Sequence, residues 1–431
     1  MNFTDAVAQL DARQPEHMPG PSLERIRHLA TYLDHPERTY PTIHITGTNG
    51  KSTAARVAAA VACASGLTTG LYISPHLREV TERFSVCGAD ISRASFAEEW
   101  AHLQPYLDVV DGLGDGEVTY FEAVTALAFL WFADKPVALG VFEVGMGGSW
   151  DATNLIASDV AVVTPVDLDH VAELGPTLTD IATEKAGIIK EGKVGVIRAQ
   201  EPEVAVTLAR RADEVGAELL HEGREWEISE PLLAVGGQAF TLRSPHATYE
   251  DLFVPMYGGY AAANAGAGVV AFETLTGHAL DDAAIREGLS SARTPGRLEV
   301  IAHDPTVVLD GAHNPAGAVA LAEALARSFT WDRLHVVLAV SANKDVPGVV
   351  APLAGLADAV YATENDSVRS AGRDVVAAAA RDAGAGSVSL APSVAAAIDA
   401  ARSAAARGDL VLVTGSLFTV ADAKRALHPA A

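Results

Sequence analysis

The sequence has few cysteines, no long apolar run and no leader-like start. Among 431 residues only two are cysteine, Cys63 and Cys87, which argues against a disulfide framework and a cysteine-based zinc site and favours a reducing cytoplasm. The longest apolar stretch, residues 124–133 with one threonine inside it, is too short to cross a bilayer. The first residues lack the basic flank and apolar segment of a signal peptide. We therefore expect a cytoplasmic protein with no membrane partner.

Positive charge is also scarce. The formal net charge is −24, which argues against nucleic acid and anionic membranes as main partners, so a site for a polyanionic ligand has to be built locally. Only seven of the 31 basic residues are lysine, and three of these are Lys185, Lys190 and Lys193. A lysine retained in such an arginine-rich chain either performs chemistry that arginine cannot, or is an ordinary residue of a solvated helix.

The sequence does contain alternating strands and helices typical of an α/β protein. Apolar residues make up 49 % and charged residues 20 %, a balance typical of a globular chain with a large core, and the length allows two or three domains. Strands are predicted at residues 42–46, 69–73, 139–144 and 160–164, with helices before, between and after them. This order is typical of a parallel sheet covered by helices.

Two later regions differ from this pattern. Residues 216–255 alternate polar and apolar side chains, which predicts a small antiparallel insert, and a helical region follows at 260–291. After a connector at 294–297 the alternation restarts, with strands at 306–309, 335–340, 359–362 and 410–413. We predict an α/β protein with two domains: a P-loop-type ATP-binding and substrate domain with a mostly parallel sheet, residues 1–295, and a smaller Rossmann-like α/β domain, residues 296–431.

The strongest local signal is Gly-Thr-Asn-Gly-Lys-Ser-Thr at residues 47–53, between a predicted strand and a predicted helix. Its two glycines let the backbone turn so that N–H groups face phosphate oxygens, the helix N-terminus favours anions, and Lys51 supplies a charge. A hydroxyl of Ser52 or Thr53 can bind Mg²⁺. The expected nucleotide contacts in this loop are Thr48, Asn49, Gly50, Lys51, Ser52 and Thr53. Ile45 replaces the first glycine of the usual P-loop, so the loop is a compact variant.

This compact loop resembles that of the Mur-ligase superfamily, whose members phosphorylate a carboxylate and let an amine displace the phosphate. Within that superfamily the chain resembles the folylpolyglutamate synthase/dihydrofolate synthase family over nearly its whole length. The ordered blocks that carry the resemblance are Ser-Pro-His-Leu at 74–77, Thr-Glu-Arg-Phe at 81–84, Thr-Tyr-Phe-Glu at 119–122, Glu-Val-Gly-Met-Gly-Gly at 143–148, Asp-Ala-Thr-Asn at 151–154, Leu-Asp-His at 168–170, Glu-Lys-Ala-Gly-Ile at 184–188, Pro-Gly-Arg at 295–297 and Asp-Gly-Ala-His-Asn-Pro at 310–315. Only 46 residues precede the phosphate loop, which favours this branch over relatives with an N-terminal nucleotide-sugar domain.

The resemblance implies an ATP- and Mg²⁺-dependent ligase that adds L-glutamate to dihydropteroate, to (tetrahydro)folate or to both, through an acyl phosphate. It implies catalytic roles for Lys51, Lys185 and His170, with Lys185 carbamylated. The expected Mg²⁺ ligands are Ser52, Ser74, Glu143, His170 and Lys185. Glu143 ends an apolar strand and therefore belongs at the carboxyl edge of the sheet; His170 follows the next strand along the chain and is expected to lie beside it.

The same resemblance implies the remaining contacts. ATP is expected to meet Asn264, Arg297, Asp310 and His313, and the acid substrate is expected to meet Phe121, Arg83 and Asp151. Ser149 stands where the family often has an arginine, which predicts weaker placement of an anionic substrate, or merely a different loop shape. Partners are expected to be small molecules only, and the chain a monomer. The alternatives are a paralogue that joins another acid and amine, and a nucleotide-binding protein without ligase activity.

Overall fold

The computed structural model describes residues 1–15 and 22–427, and it divides the chain into two units. The first unit comprises residues 1–231, 239–254 and 263–292, and the second comprises 232–238, 255–262 and the chain from 293 onwards. The predicted α/β class is confirmed in both units. Within the described residues, no helix has the length and apolarity needed to cross a membrane.

An eight-stranded sheet forms the centre of the first unit. Its strands are β1 (Thr42–Thr46), β2 (Thr69–Tyr72), β3 (Phe84–Val86), β4 (Ala89–Asp90), β5 (Leu139–Glu143), β6 (Val160–Val163), β7 (Val194–Ile197) and β8 (Glu218–His221). Their order is β4-β3-β2-β5-β1-β6-β7-β8. The pairs from β2 to β8 are parallel, whereas β3 and β4 add an antiparallel edge. Strand β1 is wholly buried in the middle of this sheet.

Helices cover both faces of the sheet, as expected for parallel strands. They are α1 (Phe3–Asp11), α2 (Glu24–Tyr32), α3 (Lys51–Ala64), α4 (Arg93–Asp111), α5 (Tyr120–Asp134), α6 (Val171–Leu174), α7 (Leu178–Ala186), α8 (Pro202–Val215), α9 (Gly259–Thr276), which begins in the second unit, and α10 (Asp282–Ser291). Short 3₁₀ turns lie at Pro36–Arg38, Val80–Arg83 and Ala152–Leu155. Helix α5 is buried along most of its length. A Cβ at Gly70 of β2 would lie 2.8 Å from the Phe132 ring of α5, so that position requires glycine.

The predicted antiparallel insert begins later than expected. Residues 218–221 form β8, which pairs parallel with β7 as the last strand of the main sheet. A separate small sheet contains β9 (Glu227–Ile228), β11 (Gly237–Arg243) and β12 (Thr248–Val254), and β9 pairs antiparallel with β11. Strand β10 is Leu232–Ala234. The prediction of an insert from residue 216 is therefore wrong at its start, because alternation alone does not distinguish an edge strand of a parallel sheet from a hairpin.

The second unit has a six-stranded sheet in the order β13-β14-β18-β15-β16-β17. Its strands are β13 (Glu299–Ala302), β14 (Thr306–Leu309), β15 (Leu334–Leu338), β16 (Ala359–Ala362), β17 (Val388–Leu390) and β18 (Leu410–Thr414). Its helices are α11 (Pro315–Ser328), α12 (Val346–Ala354), α13 (Arg373–Asp382), α14 (Val394–Ala404) and α15 (Leu417–Leu427). All pairs are parallel except β13–β14. The four predicted strands are present, whereas β13 and β17 at the sheet edges were not predicted.

The two cysteines form a disulfide. Cys63 near the end of α3 and Cys87 after β3 have Cα atoms 5.6 Å apart. Strand β3 folds back antiparallel on β2, and this brings Cys87 to the end of the helix that precedes β2. The expectation that two cysteines form no disulfide is therefore wrong, because a spacing of 24 residues does not reveal that the chain returns on itself.

Candidate active site

The phosphate-binding loop connects the central strand β1 to helix α3. Gly47 has φ 142° and Gly50 has φ 96°. Residues other than glycine rarely adopt these backbone conformations. A Cβ at position 47 would collide with the Thr164 hydroxyl, and one at position 50 would collide with the Asn264 amide. Both glycines are thus required by backbone angle and by space. The predicted strand, loop and helix are confirmed, and α3 begins at Lys51 inside the motif with Gly50 as its N-cap residue, so the first N–H groups of the helix belong to the loop.

Two side chains hold the loop in shape. The Thr48 hydroxyl donates to the Asp167 carbonyl at 2.9 Å and accepts from the Asp167 N–H at 2.9 Å. The Lys51 ammonium donates to the carbonyls of Gly47 at 3.0 Å and Thr48 at 3.2 Å. The lysine therefore lies over the loop itself, where its charge is available to a bound phosphate.

Glu143 gathers two other predicted residues at the carboxyl edge of the sheet. It ends β5, the neighbour of β1, and its side chain is almost completely buried. One carboxylate oxygen accepts from the Ser52 hydroxyl at 2.8 Å, and the other lies 3.4 Å from the Ser74 N–H. Of the two loop hydroxyls considered from the sequence, it is therefore Ser52 that reaches Glu143, whereas Thr53 is buried in α3.

His170 lies on the other side of the phosphate loop. It follows β6 and is the N-cap residue of the short helix α6, with φ 51°, and its backbone N–H donates to the Asp169 carboxylate at 2.8 Å. Strand β6 is not adjacent to β5, because β1 lies between them. The prediction that His170 follows the next strand along the chain is confirmed, and its place beside Glu143 stays a prediction; β5 and β6 flank β1 on opposite sides, so both residues belong to the same carboxyl edge of the sheet.

Lys185 is a buried lysine next to the loop. It lies on α7, is 4 % exposed, and its ammonium donates to the Gly47 carbonyl at 2.9 Å. Burial, together with the nearby Lys51, lowers the pKa of Lys185 to about 7, although Asp169, Asp151 and Glu184 oppose the shift. A large fraction of this side chain is therefore a neutral amine near pH 7, which is the form that reacts with CO₂.

The donor set at this edge fits Mg²⁺. The buried Glu143 carboxylate and the Ser52 hydroxyl are hard oxygen ligands, and Mg²⁺ completes its shell with water and substrate phosphates. Within residues 1–15 and 22–427, ligand atoms of three histidines or carboxylates lie within 4.8 Å of one another only in Glu99, His102 and Asp134, on α4 and α5. Among these described residues, no such group of three therefore includes Glu143 or His170.

A pocket adjoins the segment that follows β5. Its lining residues are Ser22, Arg25, Thr119, Phe121, Glu122, Gly145, Met146, Trp150, Asp151 and Ala152. The structure thus brings together Phe121 and Asp151, two of the three predicted substrate residues. A Cβ at position 145 would collide with the Phe121 ring, so the absence of a side chain at Gly145 makes room for the aromatic residue.

Two charged pocket residues were missed from the sequence as site residues. Arg25 of α2 and Glu122 of α5 form a buried ion pair with an Nε–Oε2 distance of 2.9 Å. Glu122 also accepts from the N–H of Thr119 at 2.8 Å, in the capping box that starts α5. The capping box was a readable signal for Glu122, whereas nothing local in the sequence pairs it with an arginine 97 residues away.

The third predicted substrate residue, Arg83, does not line this pocket. Its Nε donates to Nδ1 of His76 at 3.0 Å, and its guanidinium lies 5.3 Å from the centre of the Tyr120 ring. Burial and the Arg83 charge lower the pKa of His76 to about 4, so this imidazole is neutral and can accept. The expected contact of Arg83 with substrate is therefore not supported by the pocket.

Asn264 of α9 reaches the phosphate loop from another direction. Its amide lies where a Cβ of Gly50 would be, and its oxygen accepts from Arg198. Arg198 in turn donates through Nε to Glu222 at 2.6 Å. The pair Arg198–Glu222 was not predicted, because the three side chains come from separate parts of the sequence.

The other predicted nucleotide residues lie in the second unit. The Asp310 carboxylate follows β14 and accepts from the N–H groups of Leu298 at 2.9 Å and Ala312 at 2.8 Å. Burial raises the pKa of Asp310, while the neighbouring Arg297 opposes that shift. Nδ1 of His313 lies 2.8 Å from the Gly311 carbonyl. The predicted block thus forms a single ordered turn at the carboxyl end of β14.

Ser149 is tightly packed. Its hydroxyl donates to the Glu184 carbonyl at 3.0 Å, and a Cβ at Gly187 would collide with it. The Trp150 N–H donates to the Glu184 carboxylate at 3.1 Å. Position 149 therefore joins the loop before Asp151 to the end of α7, the helix that carries Lys185.

Similarity to known proteins covers both units. The Mur ligase middle domain matches residues 45–272, and the Mur ligase glutamate ligase domain matches residues 296–417. The dihydrofolate synthase/folylpolyglutamate synthase of Mycobacterium tuberculosis is 39 % identical over 96 % of this chain and 92 % of its own length. That of Bacillus subtilis is 33 % identical over 94 % of this chain and 95 % of its own length.

Solved structures agree with these matches. The M. tuberculosis folylpolyglutamate synthase complexed with ADP has a TM-score of 0.95 and 38 % identity, covering 100 % of this chain and 98 % of that one. Escherichia coli FolC in complex with DHPP and ADP has a TM-score of 0.89 and 32 % identity, covering 99 % of this chain and 98 % of that one. Taken with the phosphate loop and the ordered blocks around it, these matches show that the chain belongs to the dihydrofolate synthase/folylpolyglutamate synthase family of ATP-dependent Mur ligases.

Proposed function

We propose that this chain is a bifunctional dihydrofolate/folylpolyglutamate synthase, which uses ATP to join L-glutamate to dihydropteroate and to (tetrahydro)folate. The observation that carries the proposal is the segment 143–151. Its first residue, Glu143, bonds the phosphate-loop residue Ser52, and its last, Asp151, lines the pocket with Phe121. One short segment therefore connects a nucleotide edge to a pocket with an aromatic wall, as a ligase for a flat aromatic acid needs.

The proposed reaction has two displacements. A carboxylate oxygen of the acid attacks the γ-phosphorus of ATP, and ADP leaves with the electrons of the broken P–O bond. The glutamate amine then attacks the acyl phosphate, loses a proton and expels inorganic phosphate. Lys51 and the N–H groups at the start of α3 stabilise the charge on the transferring phosphoryl group. When bound, Mg²⁺ would be held by Ser52, Ser74, Glu143 and His170 and would neutralise phosphate charge.

Lys185 is proposed to carry a carbamate. The neutral amine attacks CO₂ and releases a proton, which converts a cation into a carboxylate that can help to hold a metal ion. The burial of Lys185 and its lowered pKa of about 7 support this proposal, because the protonated amine is unreactive. Arginine cannot perform this reaction.

The remaining assignments follow the family resemblance. ATP would contact the loop residues 48–53 and Asn264 in the first unit, and Arg297, Asp310 and His313 in the second. We also propose the domain division 1–295 and 296–431 and a monomer. The proposed cytoplasmic location is supported by the need for ATP and no longer by the cysteines, because Cys63 and Cys87 form a disulfide. Small molecules are the proposed partners.

Measurement of ATP hydrolysis by the purified full chain tests the proposal. Dihydropteroate, tetrahydrofolate and L-glutamate are each omitted in turn, and the products are identified by mass spectrometry. We expect ADP release to require glutamate and either acid. Turnover with only one acid would reduce the proposal to a monofunctional enzyme. Binding of ATP without turnover on either acid, or turnover on a different acid, would overturn it.

A further inference from the structure

A histidine is buried in the central strand of the first sheet, close to the pocket but outside it. His44 lies in the middle of β1 and has no exposed surface. Its Nε2 is 2.8 Å from the hydroxyl of Thr153, which is also fully buried. Nδ1 of His44 is buried without a hydrogen-bond partner in the structure. A polar ring in a fully buried strand is costly unless it is hydrogen-bonded, so the single bond to Thr153 stabilises the ring in this position.

The direction of the bond is fixed by chemistry. Burial, with Lys190 nearby, holds the pKa of His44 well below its usual range, so the ring is neutral and carries one proton. A buried N–H without an acceptor costs more than a buried lone pair. The proton therefore lies on Nε2, which donates to the Thr153 hydroxyl.

The next bond is fixed as a consequence. Because the Thr153 oxygen accepts from His44, its own hydrogen points elsewhere, and it donates to Oδ1 of Asp151. Oδ1 of Asp151 also accepts from the Thr153 N–H at 3.0 Å, and Oδ2 of Asp151 accepts from the Met146 N–H at 2.9 Å. The Thr153 hydroxyl, the Thr153 N–H and the Met146 N–H thus all donate to the Asp151 carboxylate and fix the direction in which its two oxygens point.

We propose that His44, acting through Thr153, is a positioning residue that fixes the rotamer of Asp151 in the acid-substrate pocket. The proposal rests on the proposed function only in taking that pocket as the site of the aromatic acid. An aspartate held in this way presents acceptors to N–H donors on the edge of a heterocycle. The same relay joins the strand that ends in the phosphate loop to the wall of the pocket.

The test compares Thr153→Val with Thr153→Ser. Valine has the shape of threonine but cannot accept from His44 or donate to Asp151, whereas serine can do both. We expect Thr153→Val to raise KM for dihydropteroate about tenfold, equivalent to about 1.4 kcal/mol, with KM for ATP changed less than twofold. Thr153→Ser is expected to stay within about threefold of wild type. His44→Phe should reproduce the selective change, and His44→Gln, which retains an N–H donor, should restore part of it.

Thr207→Val is the matched control. Thr207 is also a buried threonine of the first unit, but its hydroxyl donates to the Glu203 carbonyl within α8. Thr207→Val should lose about as much thermal stability as Thr153→Val, but it should not change KM for dihydropteroate relative to KM for ATP. An equal rise in both KM values, or a fall in kcat alone, in Thr153→Val would show a merely structural role and overturn the proposal.

Nitrogen NMR of the histidine rings supplies a readout that does not depend on activity. With the His44 signal assigned from His44→Gln, wild type should show a neutral ring protonated at Nε2 at pH 7. A ring protonated at Nδ1 would overturn the proposal even in an active enzyme. If instead wild type fails to turn over dihydropteroate while the Nε2 proton is present, the proposed function fails and the relay stands.

Discussion

The two units hold their candidate site residues in different ways. In the first unit the bonds are long-range: Ser52 reaches Glu143 across 91 positions, and Lys185 reaches the Gly47 carbonyl across 138. In the second unit Asp310 bonds to N–H groups no more than 12 positions away, and His313 to a carbonyl two positions away. The first arrangement depends on the whole sheet, whereas the second is a property of one turn. The effects of substitutions in the first unit should therefore depend on one another, whereas the effects of substitutions in the second unit should be independent.

Lys51→Ala should have the largest effect. Backbone N–H groups alone do not neutralise a transferring phosphoryl group, so kcat should fall at least about a hundredfold, the scale for loss of one electrostatic stabiliser. Steady-state kinetics with saturating ATP measures this. A kcat near that of wild type would remove the loop lysine from the reaction.

Lys185 should come next, with a dependence on pH that arginine cannot reproduce. Lys185→Ala should lose about a hundredfold in activity and recover part of it with added short carboxylates, whereas Lys185→Arg should remain inactive. Because the amine is neutral only above its pKa of about 7, ¹³CO₂ incorporation should rise with pH through 7 and decline below it. Normal activity of Lys185→Arg would disprove the carbamate.

The contact of both lysines with the Gly47 carbonyl sharpens the comparison between the units. Lys51 and Lys185 donate to the same oxygen, so their effects on kcat should combine to less than the sum. Asp310→Ala, by contrast, should raise KM for ATP about tenfold. In the double variant with Lys51→Ala, the two losses of kcat/KM, expressed as free energies, should add. Additivity of the two lysines would contradict the coupling proposed for the first unit.

Ser149→Arg should have the smallest effect. The serine hydroxyl is bonded to the Glu184 carbonyl, and the side chain is packed against Gly187, so a larger residue should disturb the loop. We expect kcat to fall about threefold for every substrate, with no selective change in KM. Ser149→Ala, which keeps the space but loses the bond, is the control. A selective fall in KM for the acid or for glutamate would favour the missing arginine as a substrate contact.

The sequence predicted the parts of the site that lie within one element. The phosphate loop, the strand that ends at Glu143 and the block from Asp310 could be read because each is a contiguous strand, turn and helix. The ordered motifs then predicted Phe121 and Asp151, which share a pocket in the structure. Local sequence patterns are sufficient to predict these residues, because the backbone angles of the turns and the ends of the strands determine where the residues lie.

The relative positions of Glu143 and His170 could not be predicted from the sequence, because they depend on the order of the strands in the sheet. The placement of β1 between β5 and β6 separates the strands before Glu143 and His170, and no local pattern records it. Arg25 with Glu122, Arg198 with Asn264 and the cysteine pair could not be read either, because the partners in each pair come from separate elements that meet only in the tertiary fold.

The position of β1 in the sheet also determines when the site can form as the chain is synthesised. Strand β1 is made early, but both of its neighbours, β5 and β6, lie about a hundred residues further on. Pairing at such separations must first overcome the entropy of closing a long loop, which makes it slow. A nascent chain that ends before Leu139 has the complete phosphate-loop sequence but neither of the strands that flank it. Nucleotide binding should therefore appear late, only after β6, which ends at Val163, has left the ribosome.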